Sequence, residues 1–214
     1  MAQWPEVQIN ERIIILTEGS SDRVILQKSL FALYPHLYDY FSFMDFGAAN
    51  VSGGASSLVS NVKAFSSARI RNRIVAVFDN DTAATDALRG LSGIRLPLNI
   101  KVVRLPTLEL AKSYPTIGPQ GEVCVNVNGL ACSIELYLGT DILKDQEGGL
   151  MPIQWKGYNQ TLKQYQGEIL NKEKIQDAYN HFLSEAFKSR EVYLNHDWAP
   201  MKLVFQTIFG TLNG

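Results

Sequence analysis

The chain has 214 residues, 46% hydrophobic and 19% charged, with a net charge of −1. That length suffices for one sizeable core, and no apolar run reaches the roughly 18 residues that a membrane span requires, so no membrane partner is expected. A near-zero net charge gives no overall attraction to polyanions, so a nucleic-acid substrate must be held by local cations or by a metal.

Near the N-terminus, MAQWPEVQINER lacks the basic segment followed by an apolar one that marks a secretory leader, and a cytoplasmic protein is expected. Ile13-Ile14-Ile15-Leu16 then reads as a strand buried on both faces of a parallel sheet. Ser20 and Ser21 are candidate caps for a helix that carries Val24, Leu26, Leu30 and Leu33 and ends near Pro35. Tyr40 to Phe46 forms a second apolar run, with Asp45 near its end, and leads through the Gly-rich GAANVSGGASS to a helix from about Ser56 to Ser67. Gly53 and Gly54 could bring backbone N–H groups close to a phosphate, or simply make a tight turn. Arg73 to Phe78 is the third strand, Thr82 a candidate cap for a short helix through Leu88, and Asn99 to Leu105 a fourth strand closed by Pro106.

This alternation implies right-handed crossovers and a parallel sheet covered on both faces. The expected fold is α/β: a core over 12–106, a loop-rich extension over 107–150 with a strand or helix around Glu135, and a mainly helical segment over 151–214. Cys124 and Cys132 are too few and too widely spaced for a zinc site and read as small apolar residues. In the last segment, Lys172 to Ser189 places Ile175, Tyr179, Phe182, Ala186 and Phe187 on one helical face, a pattern for packing on the sheet or on a partner. Trp198, Phe205 and Phe209 suit either a core or an interface between copies of the chain. His36, His181 and His196 are scattered.

Chemistry concentrates where the apolar runs stop. Open parallel sheets bind ligands beyond the carboxyl ends of their strands, so Glu18, Asp22, Asp79 and Asp81 are expected to face one crevice. Carboxylates gathered without basic partners repel one another, and a hard cation such as Mg²⁺ is the usual remedy. Each has a plainer explanation: Asp22 as a complement to the helix dipole, Asp79 and Asp81 as capping or turn residues. Lys156, in QWKGY, could stabilise a transition-state phosphate or be a solvated surface charge.

Glu-Gly after the first strand and Asp-x-Asp after the third resemble the Toprim domain of topoisomerases, primases and related nucleases, over Arg12 to Pro106. The resemblance implies acid/base or metal-binding work for Glu18 and Mg²⁺ (or Mn²⁺) binding for Asp79 and Asp81. Glu18 and Asp22 in ExxxD spacing, with Ser133-Ile134-Glu135 later, resemble the overcoming-lysogenization-defect nucleases, where further acids build a second metal site. FDNDTAA, SYPTIGPQG and IQWKGYNQTLKQYQGEIL are similar to the Toprim part of bacterial HEPN/Toprim-associated proteins, which are linked to antiphage defence. That resemblance implies a metal-dependent endonuclease acting on DNA or, less favoured, RNA, either as an isolated module or with a HEPN-like effector subunit on another chain. Two metals held in such a cluster would stabilise the attacking and leaving oxygens of an in-line phosphodiester displacement. FDNDTAATD also resembles the first motif of haloacid-dehalogenase phosphatases, but it follows the third strand here rather than the first, and that reading leaves Glu18 idle. A third reading is a non-catalytic or dormant subunit whose acidic crevice binds a metal or a partner protein.

Overall fold

The computed structural model describes residues 12–45, 53–119, 121–145 and 147–212. Four apolar segments, β1 (Ile13–Leu16), β2 (Phe41–Phe43), β3 (Ile74–Phe78) and β5 (Ile100–Arg104), form a sheet in the order β2-β1-β3-β5. All of its pairings are parallel, with Ile15 opposite Val75 and Ala76 opposite Val102. The sheet is flanked by helices, as the alternation predicts.

Alternation along the strands divides the core in two. Ile15, Val75, Val77 and Val103 point to one face, where they meet Ile25, Leu26 and Leu30 of α1 (Ser20–Leu33). Leu16, Ile74, Ala76, Phe78 and Ile100 point to the other, against Leu58, Val59 and Val62 of α2 (Ala55–Ser67) and Ala84 of α3 (Thr82–Leu88). Fully burying side chains of this size stabilises the fold by about 1.5–3 kcal/mol each. Between β3 and α3 lies a two-residue strand, β4 (Asn80–Asp81). Phe46, the last residue of the second apolar run, and most of the Gly-rich stretch lie outside the described residues.

The segment read as loop-rich is in part a second sheet. β6 (Tyr114–Gly118) and β7 (Gly121–Val125) pair antiparallel, and β6 also pairs in parallel with β9 (Ile153–Asn159), which forms a hairpin with β10 (Gln164–Ile169). Thus 151–214 opens with two strands before its helices begin. Cys124, read as a packing residue, is exposed on β7, whereas Cys132 is buried in β8 (Ala131–Cys132). The β8 strand pairs with β4 and so ties the second half of the chain to the end of β3.

Three helices follow. The α4 helix (Lys172–Ala186) buries Ile175, Tyr179 and Leu183 on the α1 side of the parallel sheet, while Phe187, counted on the same face, is half exposed and meets the ring of Phe31. After α5 (Arg190–Asn195), α6 (Ala199–Gly210) buries Met201, Val204, Phe205 and Ile208. Trp198 and Phe205 therefore belong to the core, and Phe209 packs against Tyr34 and Phe41. His196 is buried too, its Nδ1 2.6 Å from Asp141 Oδ2. Among the described residues, no helix is long and apolar enough to cross a membrane.

The hairpin sits tightly on β8. A methyl group at Gly167 would lie 2.7 Å from Ile153 Cγ2 and 3.2 Å from Ala131 Cβ. Gly167→Ala is expected to cost about 1–3 kcal/mol through overpacking. A urea midpoint equal to that of the wild type would show that this contact yields freely.

Candidate active site

The carboxyl ends of β1 and β3 place Glu18 and Asp79 side by side, and a bond joins them: the Asp79 backbone N–H donates to Glu18 Oε1 at 2.9 Å. Asp79 Oδ1 in turn accepts the Ile134 N–H at 3.1 Å, which brings the short 3-10 helix Ile134–Tyr137 to the site. Glu135 enters on that turn. Its side chain is fully buried and accepts from Ser133 Oγ and Gln176 Nε2, each at 2.6 Å, with Lys172 Nζ at 3.2 Å.

Two of the acids also serve the backbone. Asp22 Oδ2 accepts the Gly19 N–H at 2.9 Å, so Gly19 is the residue that begins α1, and Ser20 and Ser21, read as caps, are its first helical residues. Asp81 Oδ1 accepts the Ala84 N–H at 2.7 Å and caps α3 in place of Thr82. Thr82 instead donates its hydroxyl to the Tyr165 carbonyl at 2.7 Å, fastening α3 to the hairpin. Asp22 thus stands in the first turn of α1, as its helix-dipole explanation requires, and Asp81 is a cap as expected, while both groups still lie among the other acids.

Crowding shows in the proton affinities. Burial pushes Glu18 up to about 7, helped by the charges of Asp81 and Asp22 and opposed by the Asp79 N–H. Asp22 rises to about 6 through burial and the charge of Glu135, with Lys172 pulling the other way. Asp79 is raised well above the usual carboxylate range, first by burial and then by Asp22, Glu18, Glu135 and Asp81. Asp81 is also raised by burial, though the Ala84 N–H and Arg104 offset part of that. Five carboxylates thus share one neighbourhood, and at Glu18, Asp22 and Asp79 the charges of neighbouring acids add to burial in disfavouring ionisation.

Two cations reach this neighbourhood, and the sequence reading picked out neither. Lys172, the first residue of α4, has its pKa raised: burial alone would lower it, but Glu135, Asp22 and Asp79 outweigh that. Arg104 ends β5, and its Nη2 donates to Asn80 Oδ1 at 3.1 Å and to the Asp81 carbonyl at 3.3 Å. The strand-end rule that singled out Glu18 would have found Arg104 had it been applied to the fourth strand. No local pattern marks Lys172. Lys156, the cation that was picked out, lies on β9 with its side chain 54% exposed, 3.9 Å from Glu168 and across a hollow from Lys172. Asp45 pairs with Arg23 at 2.9 Å. Gly53 and Gly54 do lie at the site, but they support Glu18: the Gly54 N–H donates to the Glu18 carbonyl at 2.7 Å, and a Cβ on Gly53 would stand 3.0 Å from that oxygen.

The donor set suits a hard cation, since carboxylates offer only oxygen and a divalent ion would displace the protons that crowding retains. Among the described residues, no three His, Cys, Asp or Glu side chains are gathered as a finished ligand shell. A backbone N–H engages one oxygen of each of Glu18, Asp22, Asp79 and Asp81 and so orients the group, whereas both oxygens of Glu135 are engaged, by Ser133, Gln176 and Lys172. Lys172→Met would leave the buried Glu135 with its Ser133 and Gln176 hydrogen bonds but no counter-charge, and a loss of about 3 kcal/mol is expected, with Glu135→Gln restoring much of it. Equal urea stability of the single and double variants would refute that coupling.

Comparison with protein-family models, with curated proteins and with solved structures finds no match to this chain.

Proposed function

We propose that the chain is a Toprim-like, metal-dependent nuclease that hydrolyses phosphodiester bonds of nucleic acid. The observation that carries this reading is the convergence of Glu18, Asp22, Asp79, Asp81 and Glu135 from two strand ends, a helix start and a 3-10 turn onto one neighbourhood. Asp22 and Asp81 also serve the starts of α1 and α3, yet the acids are gathered together at an electrostatic cost. Glu18, Asp79 and Asp81 would hold Mg²⁺ or Mn²⁺, with Asp22 and Glu135 available to a second ion. Such an ion supplies charge neutralisation at the phosphoryl group and lowers the pKa of a bound water.

The chain's own groups provide the rest. Glu18, hydrogen-bonded to the Asp79 N–H, is placed for either role, acid/base partner of the attacking water or further ligand of the ion. Arg104 fixes the Asp81 backbone, and the Asp79 and Ile134 N–H groups orient the carboxylates of Glu18 and Asp79. Lys156 stands at the rim, where a substrate phosphate would pass. Bacterial antiphage defence is the setting that the resemblance implies.

Lys172 supports a second reading. An ammonium group already in the acidic cluster compensates part of its charge, as expected of a dormant subunit awaiting a HEPN-like or other partner. Cleavage of supercoiled plasmid and of single-stranded RNA with Mg²⁺ or Mn²⁺, beside EDTA and Asp81→Asn controls, separates the two. Metal-dependent cutting that vanishes in the folded variant supports the nuclease; no cutting of either substrate favours the dormant subunit.

A further inference from the structure

We propose that the β9–β10 hairpin is a stacking platform for the bases of a single-stranded polynucleotide, which it leads to the acidic cluster. The inference rests on the nuclease reading above and adds the form of the substrate. It begins with a register shift. Trp155 pairs with Gly167 and Gly157 with Gln166, which leaves Lys156 as an extra residue in β9. A bulge of this kind reverses the side-chain alternation beyond it, so Tyr158 and its directly opposite partner Tyr165 continue the row that Trp155 starts. Ring centroids are 5.9 Å apart for Trp155 and Tyr165 and 5.1 Å apart for Tyr165 and Tyr158. The two tyrosines are 56% and 52% exposed, Tyr165 the more so.

Position ties the row to the chemistry. The Tyr165 carbonyl accepts the hydroxyl of Thr82, the neighbour of Asp81, and Asn159 Nδ2 donates to Asp86 Oδ2 at 3.1 Å. Both anchors lie on α3, which Asp81 caps, so the row is fixed relative to that carboxylate. Beside the root of the hairpin, a hollow of about 450 Å³ is lined by Lys156, Lys172 and Lys174 and also by Glu168 and Glu173, a mixed wall in which ammonium groups are in the majority.

Charge argues for the occupant. A polyanion that approaches several carboxylates on a chain of net charge −1 is poorly held by ionic contacts alone. Stacking supplies a grip that does not depend on phosphate, and every base offers a π-face. Bases in a duplex keep those faces covered; a single strand exposes them.

The test is fluorescence anisotropy with short labelled DNA and RNA single strands and the matching duplexes, in EDTA so that binding is read without cutting. Wild type is expected to prefer single strands, Tyr158→Ala and Tyr165→Ala to weaken binding about tenfold each, and the corresponding Phe variants to restore it. Circular dichroism melts confirm that the Ala variants remain folded. Ala variants that bind like wild type, duplex bound as tightly as single strand, or failure of wild type to bind either single strand would overturn the platform. Binding of this pattern without metal-dependent cutting would keep the platform and sink the nuclease, whereas cutting with tyrosine-independent binding would do the reverse.

Discussion

Asp79→Asn is expected to abolish metal-dependent cleavage while raising the stability of the metal-free protein at neutral pH. The side chain keeps its shape and can still accept the Ile134 N–H through its amide oxygen. It loses a charge that burial and four neighbouring acids all disfavour, so the folded state gains when that charge goes. Activity moves the other way, because removing a ligand takes with it several kcal/mol of transition-state stabilisation; about 4 kcal/mol corresponds to roughly a thousandfold in rate. Paired assays decide: plasmid or oligonucleotide cleavage beside thermal melting of the same preparation. A variant that melts below wild type, or one that cuts normally, would contradict this account of Asp79.

Without divalent cation, thermal stability should fall as pH rises from the acid side towards neutrality, and Mg²⁺ or Mn²⁺ should reverse that fall. Unfolded, Glu18 releases its proton near 4.5, but in the folded chain it holds it to about 7. For Asp22 the corresponding values are 3.8 and about 6. Between these limits the folded state binds more protons than the unfolded one, and stability must therefore decline with increasing pH. The contribution is complete below about pH 4 and lost once pH passes about 7, opposite in sign to an ordinary salt-bridged carboxylate. A cation competes with those protons, so its stabilising effect should be large near pH 8 and small near pH 5. Melting curves over that range, with and without Mg²⁺, test both parts; a melting temperature indifferent to Mg²⁺ near pH 8 would argue against a metal centre.

The parts legible in the sequence share a physical cause. Strands buried on both faces leave long β-branched runs, so Ile13–Leu16 and Ile74–Phe78 declare themselves, and their carboxyl ends point to Glu18, Asp79 and Asp81. The second sheet is disguised by its composition. Pro115 and Gly118 lie within one strand, and Gly157 and Gly167 in the hairpin, where propensity suggests loops. Gly167 is tolerated because Ile153, Trp155 and Ala131 occupy the space a side chain would fill. Lys172 was hidden for another reason. Its partners Glu135, Asp22 and Asp79 are remote in sequence, and only the docking of α4 on the parallel sheet brings them together.

That remoteness bears on biosynthesis. All five acids have left the peptidyl-transferase centre once Glu135 is added, but their principal counter-charge arrives only with Lys172. At about 5–20 residues per second the interval lasts a few seconds. Until α4 docks, the acids that have folded together are compensated by Arg104 beside Asp81, by protons and by any divalent ions present. Closure of the site by α4 is then a late event of folding.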